Sequence, residues 1–217
     1  MKSCYEILLC EILLILILSI SNSTGPPGPL AAAGVVYTRW GRTVCPNTTG
    51  TQLVYAGRAA GSGHRETGGG ANYICLPETP QYYSTNIAGA QSHRGFLYGT
   101  EYQASHALDI GPLQYMGDNN IPCAVCFTSN RATVLMVPAR FSCPSGWTLE
   151  YYGYLMSNNA LWQRTMFECV DKHPESIPGS AADTDGALFY HTEARCNGIP
   201  CPPYRTDYEL SCAVCTK

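Results

Sequence analysis

The sequence has few charged residues and no long basic run. Asp, Glu, Lys and Arg make up 13% of the 217 residues, and the formal net charge is −3. Proteins that bind nucleic acid usually carry a basic patch or stripe, so the composition argues against such a partner. The chain also lacks an HExxH motif, a Gly-x-Ser-x-Gly motif and a phosphate-binding loop. No common catalytic motif therefore points to an enzyme.

Long apolar runs are absent beyond the first 21 residues. The opening stretch has Lys2, then an apolar run from Ile7 to Ile20 interrupted by Cys10 and Glu11, then small residues. This pattern is typical of a secretory signal peptide over residues 1–21. A membrane anchor is the alternative, but a span needs about 20 apolar residues. We therefore expect a secreted protein with no membrane contact after signal cleavage.

Cysteine usage agrees with export. Removal of residues 1–21 leaves ten cysteines, an even number, in a compartment where disulfides form and persist. We expect five bridges and no free thiol among Cys45, Cys75, Cys123, Cys126, Cys143, Cys169, Cys196, Cys201, Cys212 and Cys215.

The chain contains an internal repeat. Each half has Cys-Pro, then Tyr-x-Gly, then a lone cysteine, then a Tyr-x-Thr-Glu, and closes with CAVC. Such self-similarity indicates duplication of a structural unit. We predict a first β repeat over 35–130 and a second over 131–217, after a short collagen-like linker at 22–34.

The predicted fold is all-β. Five segments are rich in β-branched and aromatic residues and are bounded by Gly, Pro and Asn. They predict two similar disulfide-rich subdomains packed side by side, with strands at 34–40, 51–57, 131–139, 148–156 and 186–194. Glycine-rich and Pro-rich stretches predict loops at 57–73 and 173–186.

The CAVC pairs also admit two chemical interpretations. Two CxxC pairs are compatible with a Cys₄ zinc site, and one CxxC with a redox-active dithiol. Secretion and the even cysteine count favour half-cystines, and the context "IPCAVCFTSN" has no helix start that would lower a thiol pKa. We expect no metal ligands and no cofactor.

Two carboxylates lie at matching places in the repeats. Glu101 and Glu193 are the type of pair that performs acid–base catalysis in glycoside hydrolysis. Duplication alone also gives equal residues at equivalent positions, so we favour a structural role and expect no catalytic residue. His191, two residues before Glu193, similarly suggests a metal pair or, more simply, a surface histidine.

Asn47, in the sequence "NTTG", is an N-glycosylation acceptor within a predicted turn. Asn22 also fits the acceptor pattern but abuts the cleavage site. The fifteen tyrosines are mostly core or rim residues by this interpretation, and the exposed ones offer a contact surface for a protein partner or for matrix glycans.

The landmarks are similar to a known family. The string "CAVCFTSNRATVLMVPARFSCPSGWTLEYYGYLM" resembles the centre of the C-terminal non-collagenous domain of type IV collagen, itself a tandem repeat. The string "VVYTRWGRTVCP", the glycine-rich loop after it and the terminal CAVC resemble the short-chain, spongin-type collagens of invertebrates. The resemblance covers roughly residues 25–217, although the collagen triplets are reduced to two.

The resemblance implies a disulfide pattern. Applied to this chain, it pairs each CAVC with two distant cysteines of the same half and leaves the first half without a third bridge. The implied pairs are Cys45–Cys126, Cys75–Cys123, Cys143–Cys215, Cys169–Cys212 and Cys196–Cys201.

The expected function is that of a secreted, non-catalytic structural protein of the extracellular matrix. The resemblance implies assembly with copies of itself or with related collagen-like chains. A soluble lectin-like or defence-type binding module is the alternative, and a hydrolase using Glu101 or Glu193 is a third.

Overall fold

The computed structural model describes residues 33–83, 89, 93–104 and 110–217. The predicted signal peptide at 1–21, the Asn22 acceptor and nearly all of the predicted linker lie outside these residues. Gly34, placed at the end of that linker, already belongs to the first strand.

The described residues form an all-β fold with one 3₁₀ turn, at Gly111–Tyr115, and no α-helix. No helix among them is long and apolar enough to cross a membrane. The ten strands are β1 Gly34–Trp40, β2 Thr51–Gly61, β3 Ile74–Pro77, β4 Tyr98–Tyr102, β5 Pro122–Ser129, β6 Val134–Pro138, β7 Thr148–Ser157, β8 Glu168–Asp171, β9 Ala187–His191 and β10 Ser211–Thr216.

The two halves use the same strand pairing. In the first half, β5 lies antiparallel between β1 and β2, and β2 also pairs with β3 and β4. In the second half, β10 lies between β6 and β7, and β7 also pairs with β8 and β9. Even the isolated bridges repeat, since Glu101 faces Asn120 and Glu193 faces Glu209. The two halves therefore share the order in which their strands pair, and these equivalent bridges also match in register.

Five disulfides clamp these strands, in the pairs that the resemblance implies. Four of them fix a CAVC strand to two distant segments of its own half, Cys45–Cys126 and Cys75–Cys123 in the first, Cys143–Cys215 and Cys169–Cys212 in the second. The fifth, Cys196–Cys201, closes a short loop that has no counterpart in the first half. The predicted disulfide-rich all-β architecture is confirmed.

The halves are joined more closely than side-by-side packing implies. Strand β1 pairs with β8 at Trp40 and Val170, and β4 runs parallel to β9. Arg39 forms a 2.7 Å ion pair with Asp171, and the Trp40 indole donates to Glu168 at 3.0 Å. These contacts fix the two repeats to each other.

Both hydrophobic cores draw residues from both halves. One core packs Trp40, Tyr73 and Tyr102 of the first half against Val170 and Phe189 of the second. The other core joins first-half residues, Tyr37 and the Cys126 disulfide sulfur among them, to second-half residues that include Tyr151 and Leu155. Neither repeat encloses a core of its own.

The glycine-rich loop begins later than the sequence predicts. Strand β2 continues through Gly61, so residues 57–61 are strand and not loop. A Cβ at Gly57 would lie 1.8 Å from the Leu76 carbonyl oxygen. Glycine here permits close approach of β3, which is a recognised use of glycine inside strands. Gly153 plays the same role in β7, where a Cβ would lie 1.9 Å from the Val170 oxygen.

Candidate assembly surface

Glu101 is fully buried and binds a loop of the other half. Its carboxylate accepts hydrogen bonds from the Thr184 backbone amide at 3.1 Å, the Thr184 hydroxyl and the Asp185 amide at 3.2 Å. A buried charge is tolerated when it is hydrogen-bonded in this way. Glu101 therefore holds the second-half segment that leads into β9.

That segment occupies a groove of the first half. We call the groove lined by Gly61, His64, Gly99, Glu101 and Asn120 the first groove. The Ile177 backbone amide of this segment donates to the Asn120 carbonyl oxygen at 3.0 Å. The Gly186 carbonyl oxygen accepts from the His64 backbone amide, also at 3.0 Å. A Cβ on Gly186 would lie 2.6 Å from the Gly99 oxygen, so the insertion is tight.

Strand pairing and apolar side chains anchor the insertion. Thr100–Tyr102 pair in parallel with Ala187–Phe189, and the Gln103 amide donates to the Phe189 oxygen at 2.9 Å. Leu188 is 2% exposed and Phe189 is fully buried. The Phe189 ring lies 4.2 Å from that of Tyr73, centroid to centroid. The first groove is thus filled from within the chain.

The second half carries the equivalent groove. Because Ser157 pairs with Tyr190 as Gly61 pairs with Tyr98, the equivalents of Thr100 and Glu101 are Thr192 and Glu193. A cavity of about 1090 Å³ lies at this place, and we call it the second groove. Its lining includes Ser157, Ala160, Trp162, Thr192, Glu193 and Arg195.

Residues 192–194 border the second groove, and one edge of this strand segment has no strand partner among the described residues. The Thr192 amide donates to the Leu155 oxygen, and residues 192–194 pair with residues 207–210 through three further hydrogen bonds. Across the ranges that the structure describes, no strand pairs with residues 192–194 in the way that 187–189 pair with 100–102. Open strand edges are ready-made sites for adding another strand.

The segment that would fill the second groove by symmetry is exposed. Gly95, Phe96 and Leu97 precede Tyr98 just as Ala187, Leu188 and Phe189 precede Tyr190. Phe96 is 51% exposed and Leu97 is 50% exposed, whereas their counterparts are buried. We call Gly95–Leu97 the docking segment. One molecule thus presents both an open groove and an uncovered copy of the element that fills its twin.

The two matched carboxylates have different partners. Glu101 binds the Thr184–Asp185 backbone, whereas Glu193 is partly exposed and forms a 3.0 Å ion pair with Arg195, which also binds Asp207. His191 lies on β9 with its ring edge-on to Tyr154 at 5.3 Å. These positions place the three sequence candidates in or beside the two grooves.

All ten cysteines beyond residue 33 are consumed in disulfides. The CAVC pairs therefore offer no thiolates for zinc or for thiol exchange as long as these bridges persist. Among the described residues, the carboxylates of Glu101, Asp183 and Asp185 form a cluster whose oxygens lie within 4.8 Å of one another.

Glu168 is a partly buried carboxyl whose acidity is altered by its surroundings. Burial raises its pKa to about 7, and the hydrogen bond from Trp40 opposes that rise. Glu168 lies in β8, close to the junction of β8 with β1. Its equivalent in the first half is Ile74 of β3, because Glu168 pairs with Met156 as Ile74 pairs with Ala60. Burial, followed by the hydrogen bond to Glu150, likewise raises the pKa of Tyr37.

Asn47 lies exposed in the turn between β1 and β2, a position open to a glycan. The glycosylation itself stays a prediction.

No protein-family model matches this chain. The grooves were missed by sequence reasoning, although one signal for them was present. Matching "GFLYGTE" and "GALFYHTE" strings marked equivalent segments, but only the fold reveals that one is buried and the other is not.

Proposed function

We propose that this protein is a secreted, non-catalytic extracellular matrix protein whose disulfide-clamped β domain assembles with copies of itself. The observation that carries the proposal is that one molecule has both an open second groove and an exposed docking segment. The resemblance of the cysteine frame to type IV and spongin-type collagens supports the matrix setting. Five disulfides are compatible with the oxidising space outside the cell.

The docking segment and the second groove are different surfaces, so their union is heterologous. Contacts of this type propagate from one molecule to the next, closing into a ring where the rotation allows and extending into a fibre where it does not. Both products are multimers of like chains. This contact would give the domain a means of self-association that needs no collagen triple helix.

Apolar burial and strand pairing would both stabilise this contact. Full burial of a Phe or Leu side chain contributes about 1.5–3 kcal/mol, and Phe96 and Leu97 are each half exposed. A further contribution comes from pairing the free edge at residues 192–194 with the docking segment, as in strand addition. The partner is a second copy because the first groove already accepts the equivalent segment from its own chain.

Multi-angle light scattering of the full chain, secreted from eukaryotic cells, tests the proposal. At micromolar concentration we expect a mass that is a multiple of the monomer mass. The double variant Phe96→Asp/Leu97→Asp should be monomeric, since charged side chains cannot enter the apolar site. Val54→Asp, at an equally exposed position of β2 (55%), is the matched control and should assemble normally.

A mixing experiment tests the head-to-tail geometry. Ala160→Trp should obstruct the second groove while leaving the docking segment intact. Neither this variant nor Phe96→Asp/Leu97→Asp should assemble alone, but an equimolar mixture should form 1:1 dimers. A wild-type chain that stays monomeric at tens of micromolar would overturn self-assembly and favour the soluble binding module.

A further inference from the structure

A second surface, which adjoins the second groove at Glu209, has the chemistry of an anion site. Two cavities of about 530 and 370 Å³ adjoin there and share Glu209, Leu210 and Ser211. Arg140, Tyr204, Arg205 and Tyr208 line the larger cavity. Phe141, Tyr152, Tyr154 and Lys172 line the smaller one. We call the two together the basic groove.

The cations of the basic groove have no carboxylate partner in the described part of the chain. Arg140 donates only to the Ser142 hydroxyl, at 3.2 Å. Arg205 lies over the Tyr208 ring at 5.3 Å, and Lys172 over the Tyr152 ring at 5.2 Å. By contrast, five other arginines are ion-paired, namely Arg39, Arg42, Arg58, Arg131 and Arg195.

The groove owes one wall to the feature that distinguishes the second half. The Cys196–Cys201 bridge closes a loop without a counterpart in the first half. Directly after this loop come Pro203, Tyr204 and Arg205, which face Arg140 across the larger cavity. Tyr204 and Tyr208 are 36% and 56% exposed. The added bridge thus adjoins Tyr204 and Arg205. Aligned on the CAVC strands, Arg205 stands where the first half has Met116, whereas Tyr204 has a counterpart in Tyr115.

From this we infer that the basic groove binds a sulfated polysaccharide. Guanidinium groups match sulfate oxygens through paired hydrogen bonds, and exposed tyrosine rings offer flat amphipathic faces on which sugar rings can pack. Repeated anions along a chain suit three cations spread over two adjoining cavities.

An acidic peptide is the less suitable occupant because the groove floor has no free strand edge. Strand β10 is paired on both sides, with β6 and β7, and β7 is paired with β10 and β8. Main-chain pairing, which supplies much of the affinity for extended peptides, is therefore not available there. Glu209 is the one carboxylate among the lining residues described, and it weakens anion binding.

Titration of the intact secreted protein with a size-defined heparin oligosaccharide tests the inference. We expect saturable binding that weakens with salt, as screening of exposed charges requires, and none to the fully desulfated oligosaccharide. Arg140→Gln/Arg205→Gln should weaken binding at least tenfold, whereas Glu209→Gln should strengthen it two- to threefold. The control Arg58→Gln/Lys217→Gln removes the same charge elsewhere and should change binding less than threefold.

Equal weakening by the control pair would overturn the inference, because it would show attraction by overall charge alone. Absent wild-type binding would overturn it too, as would Arg140- and Arg205-dependent binding of a polyglutamate peptide with higher affinity than the sulfated sugar. Light scattering in the same buffer reports self-assembly separately, so failure here is distinguishable from failure of the proposed function.

Discussion

Glu101 and Glu193 occupy the same place in the two repeats. Glu101 is buried under a loop of the second half, whereas Glu193 is exposed to solvent. The difference arises because residues 184–189 reach the first groove within the chain, whereas the docking segment leaves the second groove open. Duplication supplied two equivalent grooves, and the described fold fills one of them. The inequality of the halves is therefore a property of connectivity and not of residue type.

The largest expected effect comes from removing equivalent disulfides, one in each half. In the chain-entropy model, the Cys75–Cys123 and Cys169–Cys212 bridges, which span 48 and 43 residues, each contribute about 4 kcal/mol. Cys75→Ala/Cys123→Ala and Cys169→Ala/Cys212→Ala should therefore lower the free energy of unfolding to a similar extent. Cys196→Ala/Cys201→Ala, which opens a 5-residue span, should cost about 2 kcal/mol. Guanidinium denaturation measures all three, and a large difference between the first two would break the equivalence of the halves.

A smaller effect separates the two glutamates. Glu101→Ala leaves the Thr184 and Asp185 amides without their acceptor, and we expect a loss of about 2–3 kcal/mol in unfolding free energy. Glu193→Ala removes an exposed ion pair and should change stability by less than about 0.5 kcal/mol. Urea denaturation of both variants at one pH provides the measurement. Equal losses would mean that the first groove does not depend on Glu101.

A third effect is the pH dependence of stability at the junction of the halves. Because the folded pKa of Glu168 is raised to about 7, above its unfolded value of about 4.5, the folded state holds the proton more tightly. Its contribution to stability is complete below pH 4.5 and is lost as the pH rises to 7. Linkage between these two pKa values puts the loss at up to about 3 kcal/mol.

Glu168→Gln should flatten that segment of the pH profile, since the amide oxygen still accepts from Trp40 but does not titrate. Thermal denaturation between pH 4 and 8, with Glu78→Gln as an exposed control, checks this. An unchanged slope in the Gln variant would assign the pH dependence to other groups.

Strand positions were easier to predict from the sequence than strand pairing. The strands at 34–40 and 148–156 agree with β1 and β7 to within one residue, because β-branched and aromatic residues alternate there between turn signals. Strands β3, β4, β5, β8 and β10 lie outside the five predicted segments. In β3 and β8, four residues around a lone cysteine give too little periodicity. The loop predicted at 57–61 is strand because Gly57 serves close approach, which a sequence cannot distinguish from flexibility.

The grooves depend on contacts between residues about 85 positions apart, and no local pattern encodes such a contact. Leu188 and Phe96 have similar sequence surroundings, so only the path of the chain decides which one is covered. The disulfide pattern was accessible through resemblance, whereas counting cysteines alone left the connectivity open.

The mixed composition of the two cores bears on how the duplicated gene arose. A lone ancestral unit would have lacked the rings and aliphatic groups that the other repeat now supplies to each core. Such a unit could have shielded its apolar face only against a second polypeptide. Covalent fusion keeps that second surface permanently beside the first, so the two repeats cover each other at any protein concentration.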